Sequence, residues 1–177
     1  MKKTAARVAL AMVTGLALAG CTVQPLYAPQ RATGAAISPA LAAIYIKPVN
    51  DRVGQELRNH LIFLLNNGSG QPQNPAYELA LNVRSASKDA AVVQITSSDG
   101  EPTARTVTVT AGYRLIRASD GTVVSARRAT ASASYDVSLQ EFANTRAARD
   151  AENRAAREVA EQLRALIATD LGRAGAL

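Results

Sequence analysis

Thr106-Val107-Thr108-Val109-Thr110-Ala111-Gly112-Tyr113-Arg114-Leu115 alternates without a break. Val107, Val109, Ala111, Tyr113 and Leu115 fall on one side, and Thr106, Thr108, Thr110, Gly112 and Arg114 on the other. A period of two is the mark of a strand with one buried and one wet face. Upstream, Tyr77, Leu79, Leu81 and Val83 alternate in the same way with Glu78, Ala80, Asn82 and Arg84. Downstream, Asp120-Gly121 signals a hairpin, and Thr122 to Tyr135 returns with Ala129, Ala131, Ala133 and Tyr135 set against Arg128, Thr130, Ser132 and Ser134. The loop Ser97-Ser98-Asp99-Gly100-Glu101-Pro102 separates the first two strands. The centre of the chain is therefore a three-strand antiparallel meander.

On either side of the meander the period becomes helical. Asp51 is a good N-cap for a helix reaching about Asn67, with Val53, Leu57, Leu61, Leu64 and Leu65 at helical spacing and Ile62 and Phe63 widening the stripe. Gly68 stops it, and residues 66–75 form a loop by composition. Before it, Leu41 to Val49 is β-branched and apolar and predicts a short strand closed by Pro48. After the meander, about Asn144 to Gly172 predicts a long helix with the apolar line Ala151, Ala155, Val159, Leu163, Leu166 and Ile167, ended by Gly172 and Gly175. Its charged remainder, Arg149, Asp150, Glu152, Arg154, Arg157, Glu158 and Glu161, belongs in water by default. The order β-α-β-β-β-α predicts an α+β fold, with two helices on one face of a four-stranded, mostly antiparallel sheet.

The N-terminus explains how such a domain would be held. Lys2, Lys3 and Arg7 precede an apolar run from Val8 to Ala19, whose end forms part of Leu18-Ala19-Gly20-Cys21. The run has 12 residues, whereas a helix crossing a hydrocarbon core needs roughly 20. It reads as an export signal with a lipobox, similar to bacterial lipoprotein signals. Residues 1–20 are then a signal peptide, and Cys21 is diacylated on sulfur and acylated on its new amino group. Residues 21–40, with three prolines and little periodicity, are a tether, and residues 41–177 are one α+β domain. Three acyl chains exceed what stable anchoring requires. Thr22 after the cysteine, in place of Asp, points to the outer membrane by comparison with such lipoproteins.

Cys21 is the only cysteine, so no disulfide can form within the chain and packing alone must hold the fold. Loss of Lys2, Lys3 and Arg7 takes the formal charge from +6 to +3. A modest basic excess suits anionic partners such as phosphorylated lipid. Five Tyr, two Phe and no Trp argue against a base-stacking platform, and no nucleic-acid partner is expected.

The sheet face turned from the helices is expected to carry Arg84, Thr106, Thr108, Thr110, Arg114, Arg128, Thr130, Ser132 and Ser134. Hydroxyls with a few guanidiniums suit a wet, enclosed surface, and arginine pairs well with phosphate. The same pattern also describes an ordinary solvated face of a two-layer sandwich. Catalysis finds little support. His60 is the lone histidine and lies within a helix, so neither a shared metal site nor a Ser-His-Asp set can be built on it. Gly68-Ser69-Gly70 follows a helix, the wrong setting for a phosphate loop. No enzyme activity and no cofactor are expected beyond the covalent lipid on Cys21.

Cys21 with the nearby Pro25-Leu26-Tyr27 resembles the mature starts of the alphaproteobacterial lipopolysaccharide-assembly lipoproteins, the LptE family. Asp51-Arg52-Val53-Gly54-Gln55-Glu56-Leu57-Arg58-Asn59-His60-Leu61 is similar to that family's Arg-x-Gly-Gln-x-Leu-Arg-Asn-x-Leu pattern. The resemblance spans residues 18–65 by motif and the remainder by element order. It implies an outer-membrane lipoprotein subunit of the lipopolysaccharide translocon, on the periplasmic side, that plugs and helps assemble a β-barrel partner (LptD-like) and contacts lipopolysaccharide on its way to the outer leaflet. The polar sheet face would then meet a polar barrel lumen. Arg84, Lys88, Arg105, Arg114, Arg127 and Arg128 are candidate lipopolysaccharide contacts, chosen on charge alone. An auxiliary lipoprotein of a lipid-importing ABC transporter, which also pairs a lipobox with a small α+β domain, is the alternative.

Overall fold

The computed structural model describes residues 37–66, 68–94 and 100–174, all within one unit, Ala35–Leu177. The signal segment, Cys21, Pro25-Leu26-Tyr27 and most of the expected tether lie outside the described residues. The elements follow in the order α1 (Ile37–Ala42), β1 (Ile44–Ile46), α2 (Arg52–Asn66), β2 (Tyr77–Gln94), β3 (Gly100–Arg117), β4 (Val123–Asp136) and α3 (Glu141–Arg173). The strands form one sheet in the order β1-β2-β3-β4. β1 runs parallel to β2, and the other two pairings are antiparallel, so the sheet is mixed. The α+β class, the order of the main elements and the meander agree with the sequence.

Four local expectations need correction. The apolar stretch from Leu41 to Val49 is not one strand: it is the end of α1, then three residues of β1. Pro39 is tolerated in α1 because the first turn of a helix has no internal partner for its missing N–H. Gly100, Glu101 and Pro102, expected in the loop from Ser97 to Pro102, belong to β3, which starts at Gly100. α3 begins at Glu141 rather than Asn144 and runs through Gly172 to Arg173. Phe63 does not widen the buried stripe of α2 but is 60% exposed.

Each element carries the local signal that starts or stops it. The Asp51 carboxylate accepts the Gly54 N–H at 2.7 Å, which satisfies one of the free donors at the start of α2. Gly68 after α2 and Gly121 in the β3–β4 turn have φ of 83° and 70°, a conformation that side chains with a Cβ rarely adopt. At the start of α3, the Ser138 hydroxyl accepts the Gln140 N–H, and the Asn144 amide bonds both backbone groups of Ser138.

The core lies between the sheet and the helices. α2 contributes Val53, Leu57, Leu61 and Leu65, four apart along one stripe, and packs on β1 and β2. α3 covers β3 and β4 and packs beside α2. Its first buried positions are Ala151, Ala155, Ala156, Val159 and Ala160, four of them alanines, small side chains that suit a close approach to the sheet. Toward its end the fully buried Leu163, Ile167 and Leu171 bring larger side chains into the core. Each fully buried Leu or Ile contributes about 1.5–3 kcal/mol by leaving water. The outer edge of β1 is closed by Gln71, whose amide pairs with both backbone groups of Ile46 as a strand would.

Candidate functional site

The register of the meander decides which side chains share the open face. Rows across β2, β3 and β4 read Lys88–Thr106–Ser134, Ala86–Thr108–Ser132, Arg84–Thr110–Thr130, Asn82–Gly112–Arg128 and Ala80–Arg114–Ala126. The alternate rows hold Leu79, Leu115, Val107, Val109, Ala111, Ala129 and Ala133, all buried beneath the helices. The nine residues expected on the open face are therefore together on it. Three directly opposed hydroxyl pairs form a ladder between β3 and β4: Thr106 with Ser134 and Thr108 with Ser132 at 2.8 Å, and Thr110 with Thr130 at 3.1 Å. Such cross-strand pairs fix register and leave a flat polar surface of small side chains.

The six cations chosen on charge separate into two groups. Arg84, Lys88, Arg114 and Arg128 project from the open face and are exposed. None of them is ion-paired among the described residues. Strands about 4.8 Å apart and same-face rows about 6.7 Å apart put the Arg114 and Arg128 backbones about 8 Å from each other. Arg84 stands one row beyond Arg128, on the opposite flank of β3. Gly112, between Asn82 and Arg128, puts no side chain between the positions of the three arginines. The five rows contain no carboxylate. Glu78, beyond their near end, is paired with Lys47 at 2.8 Å, and Asp136 lies beyond the far end. Four unopposed cations on a polar surface are suited to an anion with several phosphates or carboxylates.

Arg105 and Arg127 belong to the helix side of the sheet. Arg105 Nε donates to Asp89 at 2.8 Å, and this pair holds the guanidinium in its charged form. Arg127 Nη2 meets Asp170 Oδ1 at 2.6 Å. The buried Asp170 carboxylate also accepts the Tyr113 hydroxyl at 2.6 Å and the Ser125 hydroxyl. Burial alone would raise the Asp170 pKa, but the Ser125 and Tyr113 hydrogen bonds and the Arg127 charge together hold it below the ordinary carboxylate value. Tyr113 is pushed up to about 12, by burial first and then by its bond to Asp170. This cluster ties the last turns of α3 to β3 and β4.

Several connections were missed from sequence. The charges of α3 do not all lie free in water: Glu152 pairs with Arg52, Arg157 with Glu56, and Arg154 Nη2 donates to the Ser134 carbonyl at 2.9 Å. His60 Nε2 lies 3.8 Å from Glu161. Asp170 had a readable signal, because it falls on the stripe of Leu163, Ile167 and Leu171, where a carboxylate must find partners. Among the described residues no helix is long and apolar enough to cross a membrane.

The family profile described as LptE, lipopolysaccharide-assembly, matches residues 41–167. A solved structure of a candidate lipoprotein from Caulobacter crescentus is similar, with 28% identity and a TM-score of 0.62, covering 78% of this chain and 97% of that one. The rare lipoprotein B from Shewanella oneidensis shares the fold, with 10% identity and a TM-score of 0.50, covering 73% of this chain and 95% of that one. No curated protein is a significant match by sequence.

Proposed function

Since the chain belongs to the LptE lipopolysaccharide-assembly family, we propose that it is a lipoprotein subunit of the lipopolysaccharide translocon, anchored through acylated Cys21 to the periplasmic side of the outer membrane. In this reading it plugs a β-barrel partner of the LptD type, supports assembly of that barrel, and contacts lipopolysaccharide on its way to the outer leaflet. It acts by binding and shape, without catalysis or a cofactor. The family match favours this reading over the transporter-auxiliary alternative.

The observation that carries it is the open face, with Arg84, Lys88, Arg114 and Arg128 unopposed around a hydroxyl ladder. A surface pressed against a polar, water-filled lumen must itself be polar, and guanidiniums bind phosphate in bidentate fashion. Arg105 and Arg127 already hold carboxylates on the other side, so the proposed contacts narrow to the four open-face cations.

The test is lipopolysaccharide binding by the triple charge reversal Arg84→Glu, Arg114→Glu and Arg128→Glu. Affinity should fall at least tenfold, while the far-ultraviolet spectrum and Tm stay close to those of the parent. Unchanged affinity would return the face to ordinary solvated surface. Arg105→Glu, on the helix side, serves as the comparison and should weaken binding much less.

A further inference from the structure

β4 ends the sheet, and its outer edge runs the length of a 14-residue strand. Backbone groups on a strand point alternately to its two sides. The Val137 N–H reaches Thr103 of β3, whereas the Ser134 carbonyl is taken by Arg154. Arg128, Thr130, Ser132, Ser134 and Asp136 therefore turn their N–H and C=O groups outward. Arg154 Nε is held at 2.8 Å by Asp150, one turn earlier in α3. A long edge across which, among the described residues, one guanidinium is laid is a site for strand addition closed at that point.

The sequence of that edge is complementary to itself. Arg128 and Asp136 are exposed on the same face, eight positions apart, with no ion-pair partner among the described residues. About a twofold axis through Ser132 in an antiparallel pairing, Arg128 lies opposite Asp136 of a second copy, and Thr130 opposite its Ser134. On the helix side Ala129 falls opposite Tyr135 of the second copy, and Ala131 opposite its Ala133. A slip of two residues sets Arg128 against Ser134 or Ser138 instead and loses both ion pairs. A slip of one residue turns every side chain to the wrong face. Exposed ion pairs add little affinity, so their role here is to choose the register.

We propose that the β4 edge is a docking surface for a second copy of this chain, joined antiparallel about Ser132 with Arg128 and Asp136 paired across the twofold axis, and that Arg154 holds this edge closed. The pairing joins two four-stranded sheets into one of eight strands. Released from Ser134, Arg154 still rests on Asp150. The inference does not rest on the lipopolysaccharide reading, although the two share one side chain, Arg128.

The experiment measures the oligomeric state of the full mature chain, extracted in detergent, by sedimentation and native mass spectrometry over a concentration series. The parent should be mainly monomeric at micromolar concentration, and Arg154→Ala should lower the dimer dissociation constant at least tenfold. In the Arg154→Ala background, Ser132→Pro should abolish the dimer by removing an outward N–H. Asp136→Arg should weaken it, and Asp136→Arg with Arg128→Asp should restore it. Hydrogen exchange at Thr130, Ser132 and Ser134 should slow only in the dimer. If Arg154→Ala unfolds, Arg154→Gln, which keeps most of the side-chain stem, is measured instead. A chain that stays monomeric with the Arg154 contact removed, or a dimer indifferent to Ser132→Pro and to the charge swap, overturns the proposal.

Discussion

Asp170 shows how much a single carboxylate settles in this protein. It accepts hydrogen bonds from Tyr113, Ser125 and Arg127 at the point where α3 would otherwise fray from the sheet. Asp170→Ala removes the shared acceptor and should cost about 3 kcal/mol, or about 6–12 °C in Tm; a shift below 2 °C would show that the cluster is dispensable. Its pH dependence has a definite sign. The Asp170 pKa is lowered, so its contribution is complete above the ordinary carboxylate value and is lost as pH falls through the lower folded value. The Tyr113 pKa is raised from 10.0 to about 12, so its contribution is complete below 10 and disappears as pH rises through 12. Denaturant titrations from pH 8 to 12 should show stability falling for the parent and falling less steeply for Tyr113→Phe. Parallel curves would contradict the assignment.

At the scale of elements, α2 and α3 are held by stripes of unequal width. Leu163 is fully buried, and Leu163→Ala should cost about 2–5 kcal/mol. Phe63 is mostly exposed, and Phe63→Ser should stay within about 0.5 kcal/mol of the parent. An effect of Phe63→Ser as large as that of Leu163→Ala in denaturant melts would mean that α2 is rotated from the orientation described. The N-cap of α2 belongs to the same scale: Asp51→Ala should cost about 1 kcal/mol. The long elements were legible because their periodicity is sustained, from the alternation of β3 to the four-residue spacing of Val53, Leu57, Leu61 and Leu65. The stretch from Leu41 to Val49 was not, because a short apolar run fits a buried strand and a helical turn equally well. Phe63 was misread because Ile62, Phe63 and Leu64 are consecutive, and a helix cannot bury three successive residues on one stripe. The division of the arginines was readable and overlooked. Arg105 is in phase with Val107, and Arg127 with Ala129, so alternation alone already put both on the helix side.

For the molecule as a whole, one face of the sheet is spent on the core and the other is left polar, cationic and free of carboxylates over five rows. A lone soluble domain gains nothing in stability from concentrating like charges there. A domain seated against a polar wall, across which a phosphorylated lipid passes, has a use for them. The proposed function gives that wall an identity, the lumen of an outer-membrane barrel, and the proposal stands or falls on that partner. The most direct test is to extract the full chain from membranes in mild detergent, capture it, and identify by mass spectrometry what remains bound. A near-stoichiometric outer-membrane β-barrel is the predicted result. Recovery of inner-membrane permease and ATPase components, with no barrel, would contradict it.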